Sequence, residues 1–258
     1  MKISIVIPVF QLKGRESSLL TYMGQLEKAL GSDLQFILVD DASPDDAQKE
    51  FKAIAQKAGY AVLCLKLFRR VGQYTATAIG LAHVKEGWAI TVDDDGQHGP
   101  ESVAALLRFG QAKEETLVYG SSSLPVSNLV RFLKWVLTWG YPASKELSSL
   151  RLVKFTFAHH GKTVSYLDGE LMDAANVVAS IPVAFSQGNR RVSGYKGTQK
   201  WGIALRLLLF HNRIPWYLPA LLSAWLGFGY MAIVFAVLQV LARFGSTLYQ
   251  RPISWSYL

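Results

Sequence analysis

Residues Trp88–Glu101 read WAITVDDDGQHGPE. The first five form a short apolar run of the kind a buried strand uses, and Pro100-Glu101 opens a segment of helical period. Between them, Asp93, Asp94 and Asp95 stand consecutively at one strand end. Their mutual repulsion works against folding, so the placement calls for a cation or for hydrogen-bond donors. A short acidic run alone also suits a helix cap or a solvated loop; the surrounding sequence has to discriminate.

Outward from this stretch, Val- and Ile-rich runs alternate with helical patterns. Strands are expected over Ile3–Phe10, Leu34–Val39, Ala61–Phe68, Trp88–Val92 and Thr116–Tyr119, and helices over Glu16–Leu30, Asp45–Ala58, Gln73–Lys85 and Glu101–Lys113. The alternation predicts an α/β fold with a mainly parallel sheet flanked by helices. Ser43-Pro44-Asp45-Asp46 supplies a helix start and Gly59 a helix stop. Ligands of such sheets bind at the carboxyl ends of the strands. Those ends carry Pro8-Val9-Phe10, Asp40-Asp41 and the aspartate run. From 121 to 200 the pattern weakens. There Leu129–Trp139 reads as an amphipathic helix, on the surface or against a membrane, and Lys200–His211 as a basic, apolar segment suited to an interface.

The chain has 258 residues, half of them apolar and 18% charged, with a net charge of +8. No charged residue occurs between Arg213 and Arg243. That interval exceeds the roughly 20 apolar residues needed to cross a bilayer, and it predicts one transmembrane helix at about Leu218–Leu241, with Trp216 and Tyr217 at its boundary. A buried core helix is the competing reading. Lys196, Lys200, Arg206 and Arg213 precede the span and only Arg243 and Arg251 follow it, which places the N-terminal part on the cytoplasmic side of the inner membrane. The basic residues cluster beside the span, as for a domain held on anionic lipid, and no nucleic-acid-binding motif is present. MKISIVIPVF contains Pro8 and lacks a cleavage site, so it reads as a first strand and not as a signal peptide. The lone Cys64 permits no internal disulfide and fits a reducing compartment.

Ser4–Phe10 (SIVIPVF), Leu38–Asp46 (LVDDASPDD), Arg69–Gly87 (RRVGQYTATAIGLAHVKEG) and Thr91–Glu101 (TVDDDGQHGPE) resemble, in order and spacing, the successive motifs of the family 2 glycosyltransferases. The similarity is greatest to the branch containing dolichyl-phosphate mannosyltransferase and undecaprenyl-phosphate sugar transferases. It covers most of residues 1–115, and SSLRLVK, YLDGELM and SGYKGTQKW are similar to later landmarks.

The resemblance implies a GT-A-type nucleotide-binding domain over 1–195, followed by a basic juxtamembrane segment over 196–215, a transmembrane helix over 216–243 and a short tail over 244–258. It implies Pro8, Phe10, Val39, Asp41, Gly72, Asp93 and Asp94 as contacts for a nucleotide-diphosphate sugar. Asp95 and Gln97 become ligands of Mg2+ or Mn2+, cations that take oxygen ligands together with substrate phosphates. Arg151, Arg190, Arg191, Ser193 and Tyr195 fall to phosphate or acceptor binding. Asp93 and Asp95 are the catalytic aspartates. Asp168, with Glu170 nearby, is the candidate base if the acceptor needs one.

The implied activity is inverting sugar transfer to a polyprenyl phosphate at a membrane surface, with lipids and a homo-oligomer among the partners. Transfer to a hydroxyl of a lipid-linked glycan is the alternative, and a catalytically silent membrane partner of another transferase is a third reading. The chain departs from the family pattern at Gln11-Leu12, where Asn-Glu is common, at Arg70 in place of asparagine, at Ser122 in place of arginine, and just before Ser193.

Overall fold

A computed structural model of the chain describes residues 2–31, 33–44, 48–113, 116–122, 148–154, 167–175, 177–185, 225–227, 230–231, 233–234, 237 and 253–257. The chain divides into one unit of residues 1–124, 146–192 and 252–258 and a second of 125–145 and 193–251.

In the first unit the elements run β1 (Ile3–Val9), α1 (Glu16–Leu30), β2 (Leu34–Asp40), α2 (Gln48–Lys57), β3 (Ala61–Leu67), α3 (Gln73–Ala82), β4 (Trp88–Thr91), α4 (Pro100–Lys113), β5 (Leu117–Ser122), β6 (Arg151–Lys154), α5 (Leu167–Ala174), β7 (Val178–Val183) and β8 (Trp255–Tyr257). The strands form one sheet in the order β7-β5-β6-β4-β1-β2-β3-β8. β4, β1, β2 and β3 are mutually parallel, as is the β5–β7 pair, whereas β6 and β8 run antiparallel to their neighbours.

β1 lies at the centre, and every one of its residues is buried. A parallel strand covered on both faces needs such an unbroken apolar run. Ile3, Ile5 and Ile7 join Leu19, Met23 and Leu26 of α1 and Val103, Leu106 and Leu107 of α4 in one core. The Leu19, Met23, Leu26 spacing gives α1 one apolar stripe. Val6, pointing to the opposite face, meets α3 at Gly80, where a Cβ would also stand 3.0 Å from Val39 Cγ2. Residues 75–81 of α3 are accordingly all buried, and the first residue of the helix, Gln73, reaches Asp93 beyond β4.

The parallel segment follows the expected order of elements, with small shifts at the ends. α3 stops at Ala82, short of Lys85, where His83 Nδ1 bonds Ile79 O at 2.8 Å. One expectation is corrected. Residues 244–258, read as a tail, contribute β8, whose Trp255 and Tyr257 pair with Leu67 and Leu65 and set their rings against His83. Of the expected span Leu218–Leu241, the described residues include Gly227, which has φ of 83° in a turn at 226–227, a conformation foreign to a regular right-handed helix. Among the described residues no helix is long and apolar enough to cross a membrane. Within this second unit Trp225, Leu226, Tyr230, Ile233, Val234 and Val237 are exposed. Leu129–Trp139, Lys200–His211 and most of the expected span lie outside the described residues.

Candidate active site

β1 has β2 on one side and β4 on the other, so the chain's winding reverses between β1 and β4. In open α/β sheets the crevice beyond the carboxyl ends at such a reversal is where ligands bind. Segments 10–15, 41–44, 68–72 and 93–99 follow the four strands that end there, and Ser149 stands just before β6.

Asp41 emerges from β2 and its backbone N–H donates to Val9 O at 2.9 Å. Its Oδ1 accepts from Val71 N at 2.7 Å and its Oδ2 from Gly72 N at 2.9 Å. These bonds fix the turn before α3, where Gly72 has φ of 89°, a value that favours glycine. Burial pushes the Asp41 carboxyl above its usual range, opposed by the two amides and by Arg70. The Arg70 guanidinium lies 4.0 Å from the centroid of the Phe10 ring. Ser43 Oγ donates to Asp40 Oδ1 at 2.5 Å and accepts from Gln11 N at 2.9 Å, joining the β1 and β2 loops.

Each of the three consecutive aspartates has its own surroundings. Asp93 is held by Gln73 Nε2 on Oδ1 and by Ser149 Oγ on Oδ2, the latter at 2.6 Å. Its backbone N–H donates to His98 Nδ1 at 3.3 Å, which leaves Nε2 of a neutral ring as the protonated nitrogen, 3.4 Å from Ser149 Oγ. His98 is buried, its ring edge-on to Phe185 with centroids 5.1 Å apart. Tyr22 OH donates to His98 O at 2.7 Å. Burial raises the Asp93 pKa and lowers that of His98. Although Ser, His and Asp meet here, the serine hydroxyl donates to the aspartate and not to the imidazole, so this is not a nucleophile–base arrangement.

Asp94 Oδ2 receives Arg15 Nη2 at 2.8 Å. Asp95 accepts from Gln97, at Oδ1 from the backbone N–H at 3.1 Å and at Oδ2 from the side-chain amide. The expected metal ligands thus face one another. Among the described residues no group of three or more His, Cys, Asp or Glu side chains could hold an ion. One carboxylate and one reversible amide fit a hard cation that draws its remaining ligands from a diphosphate and water.

Other expected site residues are placed differently. Pro8 and Val39 are register partners inside the sheet, and Val39 lies beneath α3, so its side chain faces the helix and not the crevice. Arg151 and Asp168 bind each other: Nε donates to Oδ1 at 2.6 Å and Nη2 to Oδ2 at 3.1 Å, with side-chain exposures of 3% and 2%. Tyr119 OH adds a bond to Asp168 Oδ1 at 3.1 Å, and Arg151 Nη1 donates to Ser149 O at 3.1 Å. Burial opposes the Arg151 charge, but the Asp168 carboxylate outweighs it and the pKa is raised. Both oxygens of the carboxylate are thus taken by Arg151, with Tyr119 on one of them, and the guanidinium turns its fork to Asp168 and not to the crevice. The pair instead joins β6 and α5 behind Asp93. Arg190, Arg191, Ser193 and Tyr195 lie outside the described residues. The roles of Arg15, Gln73, His98, Tyr119 and Ser149 were not read from the sequence, although Gln73, His98 and Ser149 stand inside the quoted motifs RRVGQYTATAIGLAHVKEG, TVDDDGQHGPE and SSLRLVK.

The family profile described as Glycosyl transferase family 2 matches residues 4–163. An undecaprenyl-phosphate 4-deoxy-4-formamido-L-arabinose transferase of Edwardsiella ictaluri is 33% identical over 105 residues, 41% of this chain and 32% of that protein. The chain therefore matches about a third of the length of this curated relative. Among solved structures, a mycobacterial protein superposes with a TM-score of 0.56 at 17% identity, over 81% of this chain and 74% of that one. Glucosyl-3-phosphoglycerate synthase from Mycobacterium tuberculosis in complex with uridine diphosphate does so with 0.54 at 18%, over 80% and 79%. At these identities the likeness concerns the fold, and it is to the glycosyltransferase fold expected from the motifs.

Proposed function

The chain belongs to glycosyl transferase family 2, and from that premise we propose that it transfers a sugar from a nucleoside-diphosphate donor to a polyprenyl phosphate at a membrane surface. Supporting the acceptor is the name of the E. ictaluri relative, an undecaprenyl-phosphate sugar transferase. The observation that carries the reading is the state of the carboxylates. Asp168, the candidate base, is enclosed by Arg151 and Tyr119, and Asp41, Asp93, Asp94 and Asp95 each accept protein donors. A sugar hydroxyl needs a base to take its proton, whereas a phosphate monoester is already largely ionised near neutral pH. The site therefore suits a phosphate acceptor better than a hydroxyl.

In this reading the loops after β1 and β2 receive the nucleoside, with Phe10 as the aromatic surface and Asp41 beside it. A divalent cation held by Asp95 and Gln97 would supply charge neutralisation at the leaving diphosphate. Asp93, fixed from two sides by Gln73 and Ser149, orients the donor sugar, and the acceptor phosphate attacks from the opposite face with inversion. The uncharged stretch between Arg213 and Arg243, with its exposed Trp225, Tyr230 and Ile233, supports contact with lipid, and the basic residues before it support a cytoplasmic catalytic domain.

The test incubates membranes containing the chain with labelled sugar nucleotides and undecaprenyl phosphate and identifies products by mass. A labelled lipid monophosphate sugar is expected. Label appearing only when a preassembled lipid-linked glycan is supplied would overturn the acceptor assignment.

A further inference from the structure

Arg15 occupies the position just before α1, yet its side chain does not cap that helix. It turns back over the crevice. Nε and Nη2 donate to Gln11 O at 2.9 and 2.8 Å, Nη2 also reaches Phe10 O at 2.9 Å, and the same nitrogen contacts Asp94 Oδ2 at 2.8 Å. One guanidinium thus binds both carbonyls at the end of β1 and the middle aspartate at the end of β4. These strands are the neighbours between which the winding reverses. Gln11 has φ of 59°, a left-handed conformation that a non-glycine residue keeps only when its surroundings impose it. Arg15 and Ser43 hold its two backbone polar groups. Asp94 stands between Asp93 and Asp95, so a cation on it also relieves repulsion along the acidic run. Planar fork geometry suits arginine, and not lysine, to such a multiple contact.

We propose that Arg15 is a positioning residue that fastens the nucleoside-binding loop after β1 to the loop carrying Asp95 after β4, through Asp94, so that nucleotide and divalent cation bind cooperatively. The inference rests on reading the crevice as a nucleotide-diphosphate site. An arginine that merely stabilised the fold would weaken nucleotide binding equally with and without metal. A strut between the loops couples the two, so its loss falls on the metal-dependent part.

The measurement is calorimetric titration of the full chain in detergent with adenosine, cytidine, guanosine and uridine diphosphates, with and without Mn2+. The readout is the ratio of affinities with and without metal. Arg15→Ala is expected to lower that ratio roughly tenfold, the scale of one charge-assisted hydrogen bond. Arg15→Lys should restore little of it. Asp94→Asn keeps the carbonyl contacts and should lower the ratio, which covers the case in which Arg15→Ala fails to fold. The double variant should be no worse than Arg15→Ala. An unchanged ratio in Asp94→Asn, or additive losses in the double variant, overturns the strut. If wild type binds none of the diphosphates, the donor-site reading falls and the strut with it.

Discussion

Replacing Asp168 by alanine would leave the Arg151 guanidinium in a pocket where its side chain is 3% exposed. It would lose the two contacts at 2.6 and 3.1 Å and keep Ser149 O at 3.1 Å, Thr91 Oγ1 at 3.4 Å and the Tyr74 and Tyr119 rings, none of which carries a compensating charge. Breaking one partner out of a buried pair costs about 3–5 kcal/mol, because the remaining charge is left unpaired. With a denaturant slope of about 3 kcal/mol per molar urea for a unit of this size, a loss of about 4 kcal/mol moves the midpoint down by about 1.3 M. The sole cysteine offers a local probe. Cys64 is buried in β3, so pulse labelling of its thiol across a urea series reports unfolding of this unit and not of the other. Replacing both partners, Arg151→Met with Asp168→Leu, removes the charge along with its partner, and the midpoint should return to within about 1 kcal/mol of wild type. The double variant should also keep turnover with a polyprenyl phosphate. A midpoint shift below about 0.3 M for Asp168→Ala refutes the energetic argument. Restored stability with abolished turnover would return Asp168 to the chemistry.

Three further outcomes follow from the geometry. Asp95→Ala should abolish metal-dependent turnover while shifting the Cys64 labelling midpoint by less than about 0.5 kcal/mol, as for a surface change; normal activity would remove Asp95 from the site. Burial pushes the Cys64 thiol up to about 12, so Ellman's reagent at pH 8 should react only after denaturant is added, and rapid stoichiometric reaction of native protein would show that β3 is not covered. Gly80→Ala should cost about 1–3 kcal/mol through overpacking against Val6 and Val39, and Val6→Ala in the same chain should recover part of it; a neutral Gly80→Ala would mean that α3 can lift from the sheet freely.

The elements from β1 to β5 were legible because each is local. β1 announces itself as an unbroken apolar run, α1 as a stripe at Leu19, Met23 and Leu26, and α4 by its proline start. β6, β7 and β8 were not legible. They have 4, 6 and 3 residues, and what makes them strands is pairing with partners far away in sequence, such as Trp255 with Leu67. The site divides in the same way. The strand-end acids announced themselves by their position, but the role of each depends on which donor faces it. Nothing near Arg151 in sequence tells that its partner is Asp168, and only the antiparallel entry of β6 beside β4 brings Ser149 to Asp93. Arg15 was hidden because its partners Phe10 O, Gln11 O and Asp94 are brought to it only by the β1 loop's turn and the β4 strand end.

The position of β8 bears on how the sheet meets other molecules. β3 would otherwise end the sheet with a seven-residue strand whose N–H and C=O groups lie open to pairing with any extended peptide, including another copy of itself. β8 occupies part of that edge with three residues, too few to template much further growth, and Tyr257 projects into solvent. The segment arrives there after the chain has passed through the second unit. A protein emerging from the ribosome therefore carries an unguarded sheet edge until the second unit has been made, and the interval before β8 docks is when strand-to-strand association threatens it most.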